Sequence, residues 1–150
     1  MNRLTPLVVW LGLFTVTLGA IAAPAPKEEK SDLKKLQGNW TIDSWHQLGQ
    51  PLDIHGTWTF DGEKYSLDTG TNLEEGTIKL DTSKKMPMID LTITGGNCKG
   101  NDQPGIYKID GDTVTLCFTW PGKTNRPEKL ESTQENNFIL ITLKRAKKDK

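Results

Sequence analysis

The stretch that most constrains this chain is Gly105 to Trp120, GIYKIDGDTVTLCFTW. Two runs of β-formers flank Asp110-Gly111-Asp112, and the glycine supplies the positive φ that a two-residue hairpin turn demands. Whether the loop falls on Asp110-Gly111 or on Gly111-Asp112, the facing is the same. Tyr107, Ile109, Val114, Leu116, Phe118 and Trp120 share one side; Lys108, Thr113, Thr115, Cys117 and Thr119 share the other. This is the pattern of an antiparallel hairpin with one buried face. Gly56 to Leu67 repeats it: Asp61-Gly62 separates Trp58 and Phe60 from Tyr65 and Leu67. A two-residue loop on Asp61-Gly62 sets Trp58 opposite Tyr65 as a cross-strand aromatic pair.

The remaining segments follow the same alternation. Gly76 to Leu80 turns Ile78 and Leu80 inward, and Ile89 to Thr94 does so with Ile89, Leu91 and Ile93. Gly95 to Pro104, rich in glycine and asparagine, is predicted to be a loop, as is Pro121 to Asn137. The last strand, Phe138 to Lys144, starts apolar on both faces, so its outer side needs a cover. At the other end, Ser31 caps a predicted helical turn over Asp32 to Gln37, with Leu33 and Leu36 on one face and Gly38 as the stop. Trp40-Thr41-Ile42 opens the first strand, which fades by Gly49. Trp45 is out of phase with Trp40 and Ile42, which places it at a rim or at a bulge. Eight strands with short connections predict an all-β fold: an antiparallel, eight-stranded, up-and-down barrel with a short N-terminal helix, since closure removes the exposed edges of an open sheet.

The domain occupies residues 31–145. Residues 1–23 read as a signal peptide: Arg3 precedes the apolar run Leu7 to Ala23, which ends in small residues, with cleavage expected after Ala22 or Ala23. An uncleaved anchor is the competing reading. Residues 24–30 carry proline and charge with nothing to bury and are expected to be a disordered spacer. Residues 146–150 continue a short basic tail. These features imply export to the periplasm or the extracellular space, without stable membrane insertion after cleavage. The 19 basic and 19 acidic residues balance, and loss of Arg3 leaves the rest at a net charge of about −1. A mildly acidic body with a short basic tail argues against nucleic-acid binding, which calls for a basic face. Cys98 and Cys117 are expected to pair as a disulfide in an oxidising compartment, with free thiols as the alternative.

The short helix followed by Gly38-Asn39-Trp40 resembles the opening of lipocalins, in which the tryptophan closes the barrel floor. Asp32–Trp40, Gly76–Leu91, Gly105–Phe118 and Arg126-Pro127 are similar to a family of secreted lipocalin-like domains abundant in planctomycete bacteria, a family with no assigned activity. The resemblance covers nearly the whole exported chain. It implies the barrel fold and export, and brings no catalytic residue. In lipocalins an arginine near the end of the barrel packs across the tryptophan. Arg145 holds that position here, and Arg126 in the Arg-Pro pair is the competing candidate.

Patterns that would carry catalysis are missing. There is no G-x-S-x-G, no Walker loop and no G-x-G-x-x-G. Glu74 and Glu75, adjacent on a strand, point to opposite faces and cannot act as a carboxylate pair. His46, His55, Cys98 and Cys117 lack the spacing of metal ligands, and no cofactor is called for. The chain therefore reads as a non-enzymatic domain, and its interior decides between two functions. The rings of Trp58, Phe60, Tyr65, Tyr107 and Trp120 either line a site for a small hydrophobic molecule or fill the lumen outright. In the second case the loops would serve a structural or inhibitor-like module that engages another exported protein. A ligand site is expected at the mouth opposite Trp40.

Overall fold

The structure, a computed structural model, describes residues 27–147; the expected signal peptide, the first part of the spacer and the last three residues of the tail lie outside these. One helix, α1 (Lys27–Leu36), precedes nine strands: β1 (Gly38–Gln47), β2 (Gln50–Leu52), β3 (Thr57–Asp61), β4 (Lys64–Asp68), β5 (Leu73–Asp81), β6 (Met88–Gly95), β7 (Asp102–Asp110), β8 (Thr113–Phe118) and β9 (Ile139–Arg145). All pairings are antiparallel. Neighbours from β3 to β9 pair in sequence order, β3 pairs with β1, and β9 returns to β1, closing an eight-stranded barrel. The ninth strand, β2, is a short addition that pairs only with the end of β1. Its turn, Leu48-Gly49, has positive φ at both residues (53° and 72°), the type I′ requirement for a tight hairpin. Among the described residues no helix is long and apolar enough to cross a membrane.

Alternation builds the core. Glu74, Gly76, Ile78 and Leu80 of β5 face inward, as do Ile89, Leu91 and Ile93 of β6 and Ile139, Ile141 and Leu143 of β9. The two Asp-Gly hairpins place their loops on Gly62-Glu63 and Gly111-Asp112, with φ of 61° and 57° at the glycines. Phe60 therefore faces Tyr65, and Trp58 faces Leu67, in place of the expected Trp58–Tyr65 pair. The loop falls one residue later than expected, so partners shift by two and every side chain keeps its face. Trp58 and Tyr65 still touch on the diagonal, with ring centroids 5.8 Å apart.

α1 starts at Lys27, so residues 27–30, expected to be disordered, are helical and Ser31 lies inside the helix. Glu28 and Glu29 in the first turn and Lys34 and Lys35 in the last complement the helix dipole, which favours the longer helix. α1 closes one end of the barrel. Trp40 Nε1 donates to the Leu36 carbonyl at 2.7 Å, and Gln37 bonds the Gly62 amide and carbonyl in the β3–β4 turn. Arg145 lies over the Trp40 ring, 4.1 Å from its centroid, and donates to the Lys35 and Gln37 carbonyls and to Asp112. One guanidinium thus caps the helix C-terminus and covers the floor tryptophan. Arg126 works elsewhere: it donates to the Gly105 carbonyl and pairs with Asp90, strapping the long segment after β8 to the outer wall.

That segment covers the outer face of β8, where the sequence calls for a cover over β9. It buries the outward residues Cys117 and Thr119, and Thr119 Oγ1 donates to Asn125 at 2.9 Å. The expected Cys98–Cys117 disulfide is absent; both thiols are free. The barrel wall separates them. Cys117 faces outward from β8 beneath the covering segment and donates to the Glu131 carbonyl, whereas Cys98 sits in the β6–β7 loop at the barrel mouth. Burial pushes the Cys117 thiol up to about 11, so it is protonated at neutral pH and a poor nucleophile.

Candidate functional site: a cavity at the open mouth

The lumen is filled at one end and open at the other. At the helix end Trp40, Phe60, Tyr107 and Leu116 interlock as core. Towards the opposite mouth lies a cavity of about 490 Å³, of a size that suits one small organic ligand. Its base is Trp58 stacked against Phe118, with centroids 6.2 Å apart and planes at 15°. Leu67, Ile139 and Ile141 complete an apolar wall, and Trp45 and Trp120 add two more rings to it.

Trp45 reaches the cavity because β1 bulges. Ile42 faces Leu143 and Ser44 faces Thr142, so Asp43 is an extra residue and the phase of the strand flips after it. Trp45 then faces Ile141 on the inner side, at the rim end of the strand. Trp120, just beyond β8, is partly exposed and holds Asn137 through its indole N–H at 3.1 Å. The indole N–H groups of Trp45 and Trp58 are buried without an acceptor, an uncompensated cost in the protein alone.

The expected binding residues thus separate. Trp58 and Trp120 line the cavity. Phe60 lies below it, stacked on Trp58 at 5.9 Å. Tyr107 sits at the closed end, where its hydroxyl donates to Asp32 of α1 at 3.0 Å. Burial and the Asp32 carboxylate hold that hydroxyl far above the ordinary tyrosine range. Tyr65 is buried in the core against Trp58, outside the cavity lining, and donates to Glu74 Oε1 at 2.9 Å; burial and Glu74 raise it likewise.

Two polar wall residues were not among the candidates. Glu74 is 8% exposed and lines the cavity. The signal was available, because the inward phase of Ile78 and Leu80 carried back through Gly76 reaches it. The Gly95–Pro104 loop expected from the sequence contains Gln103, but β7 begins at Asp102 and turns Gln103 inward, where its amide donates to the Thr119 carbonyl at 2.8 Å. Desolvation raises the Glu74 carboxyl above its ordinary value of 4.5, against the lowering effect of the Tyr65 hydrogen bond. The folded protein therefore holds more protons than the unfolded chain as pH rises from 4.5, and stability falls through that window. Glu74→Gln keeps an acceptor for Tyr65. It is expected to raise the urea midpoint at about pH 8 and to give no gain near pH 4, in matched denaturation series.

Among the described residues no group of three or more histidine, cysteine, aspartate or glutamate side chains is placed to hold a metal ion. Comparison with family models, with curated proteins and with solved structures finds no match to this chain.

Proposed function

We propose that this protein is an exported, non-enzymatic barrel that binds one small, largely apolar molecule through the mouth opposite α1. The cavity over the Trp58–Phe118 stack carries this reading. A lumen of eight strands is just wide enough for side chains or for one small ligand, and here the side chains stop halfway. Rings and branched aliphatics supply contact area. The likeness of Asp32–Trp40 and Gly105–Phe118 to secreted lipocalin-like domains, together with the N-terminal apolar segment, supports export.

A titration with the neutral dye Nile red, followed by tryptophan quenching, tests the proposal. Saturable binding is expected at one site per chain, and Ile141→Trp, which adds bulk to the apolar wall, is expected to abolish it while the fold persists. Failure to saturate, or full binding by the filled variant, would defeat the proposal. A second reading has one observation in its favour: Leu48, Leu52, Leu73 and Trp120 are exposed, and all belong to segments at the mouth. A rim of this kind suits contact with another exported protein. That reading predicts loss of partner binding, without loss of dye binding, on Leu52→Ser and Leu73→Ser.

A further inference from the structure

The cavity is charged on one side only. Among the described residues that line it there is no lysine or arginine, and its ionisable groups are Glu74, Asp53, His55 and Cys98. Asp53 and His55 pair with each other at 2.9 Å, exposed at the rim. Glu74 is different. It is the single carboxylate, lysine, arginine or histidine among the buried residues described, and no described cation pairs with it. Its Oε1 accepts from Tyr65, and Oε2 has no hydrogen-bond partner among the described residues. Four aromatic rings, those of Trp45, Trp58, Phe118 and Trp120, stand around the same space.

We propose that the ligand is an organic cation, a protonated or quaternary amine on an apolar body, with its charge held between the Glu74 carboxylate and the aromatic faces. This rests on the binding reading above and sharpens it. A carboxylate ligand would bring a second negative charge against Glu74 in a desolvated space, which costs affinity. A neutral ligand would shut Glu74 in without a counter-charge. A cation meets the carboxylate and the electron-rich ring faces together, an arrangement that gains when water is excluded. The other groups around Glu74 offer no competing positive charge except His55 when protonated: Tyr65 comes from β4, Cys98 from the β6–β7 loop, and Asp53 and His55 from the segment before β3.

Calorimetric titrations of the chain with octyltrimethylammonium, octanol and octanoate decide the matter, because the three share an apolar body and differ in charge. The quaternary head does not itself titrate. At about pH 8 the cation is expected to bind roughly tenfold or more tighter than octanol, and octanoate weakest. This preference should shrink as pH falls, because Glu74 takes up its proton above the ordinary carboxylate range. Glu74→Gln should sharply reduce the preference and remove its pH dependence. Equal affinities for the three probes, or octanoate tightest, with Nile red binding intact, would overturn the cation assignment and spare the binding reading. A preference that survives unaltered in Glu74→Gln would overturn the role of Glu74. Absence of binding by all three and by Nile red would remove both proposals.

Discussion

Trp40→Ala is expected to lower the free energy of unfolding by about 3–5 kcal/mol, the range for removing a large buried ring. Trp40 is fully buried and is the centre of the closed end. Its ring fills the space beneath Arg145, and its N–H satisfies the Leu36 carbonyl at the end of α1. Alanine would leave a cavity, orphan that carbonyl and take away the face on which the guanidinium rests. Arg145 could still reach Lys35, Gln37 and Asp112, so part of the helix cap would survive and the barrel would loosen from this end first. Trp45→Ala is the comparison. Trp45 is only partly buried, at the rim, and its loss should cost far less while weakening ligand binding. Urea denaturation of both variants measures the difference. Equal losses would mean that α1 does not close the barrel through Trp40.

Much of this architecture is legible in the sequence because the half-buried hairpin has a rigid grammar. A period of two assigns each side chain to a face, and an error of two residues in pairing leaves the assignment intact, as at Trp58 and Tyr65. Features that interrupt the period are harder to read. The bulge at Asp43 turns Trp45 from the outer to the inner phase, and nothing local to Asp43 announces an extra residue. The short β2 depends on a turn at Leu48-Gly49, where leucine takes a conformation usually left to glycine or asparagine. The outer face of β8 looks solvent-facing by its threonines, but the segment over it comes from chain that has no periodic signal of its own.

The site was legible in part for a related reason. Rings are conspicuous in sequence, but their depth along the barrel axis depends on which turn lies at which end. The Gly62-Glu63 and Gly111-Asp112 turns lie at the helix end, tied to Gln37 and Arg145. Phe60 and Tyr107, next to those turns, therefore belong to the closed half, whereas Trp58 and Trp120 face the open one. In the sequence Glu74 stands out only beside Glu75, and its lone inward position next to Tyr65 depends on the register of β4 against β5.

Gly76→Ala is expected to cost about 1–3 kcal/mol or more, as overpacking in a full interior does, although only one methyl is added. Gly76 lies on the inner face of β5, opposite Tyr65 of β4. A Cβ there would collide with the Thr92 carbonyl oxygen and come within 2.6 Å of Tyr65 Cε1. The first obstacle is backbone of the neighbouring strand and cannot swing away. The second is a ring whose hydroxyl bonds Glu74, so moving it would withdraw the one donor that stabilises the ionised carboxyl. The substitution should therefore push Glu74 further up in pKa and weaken any preference for a cationic ligand at neutral pH, beyond its effect on stability. Gly95→Ala is the matched control in the adjoining strand. Its Cβ would meet only the Glu75 side chain, at 3.3 Å, and that side chain is free to move. Urea denaturation should show a large loss for Gly76→Ala and little for Gly95→Ala. Near-equal, small losses would show that β5 and β6 can part at this point, and that Tyr65 is not held by the close approach of its ring to a bare backbone.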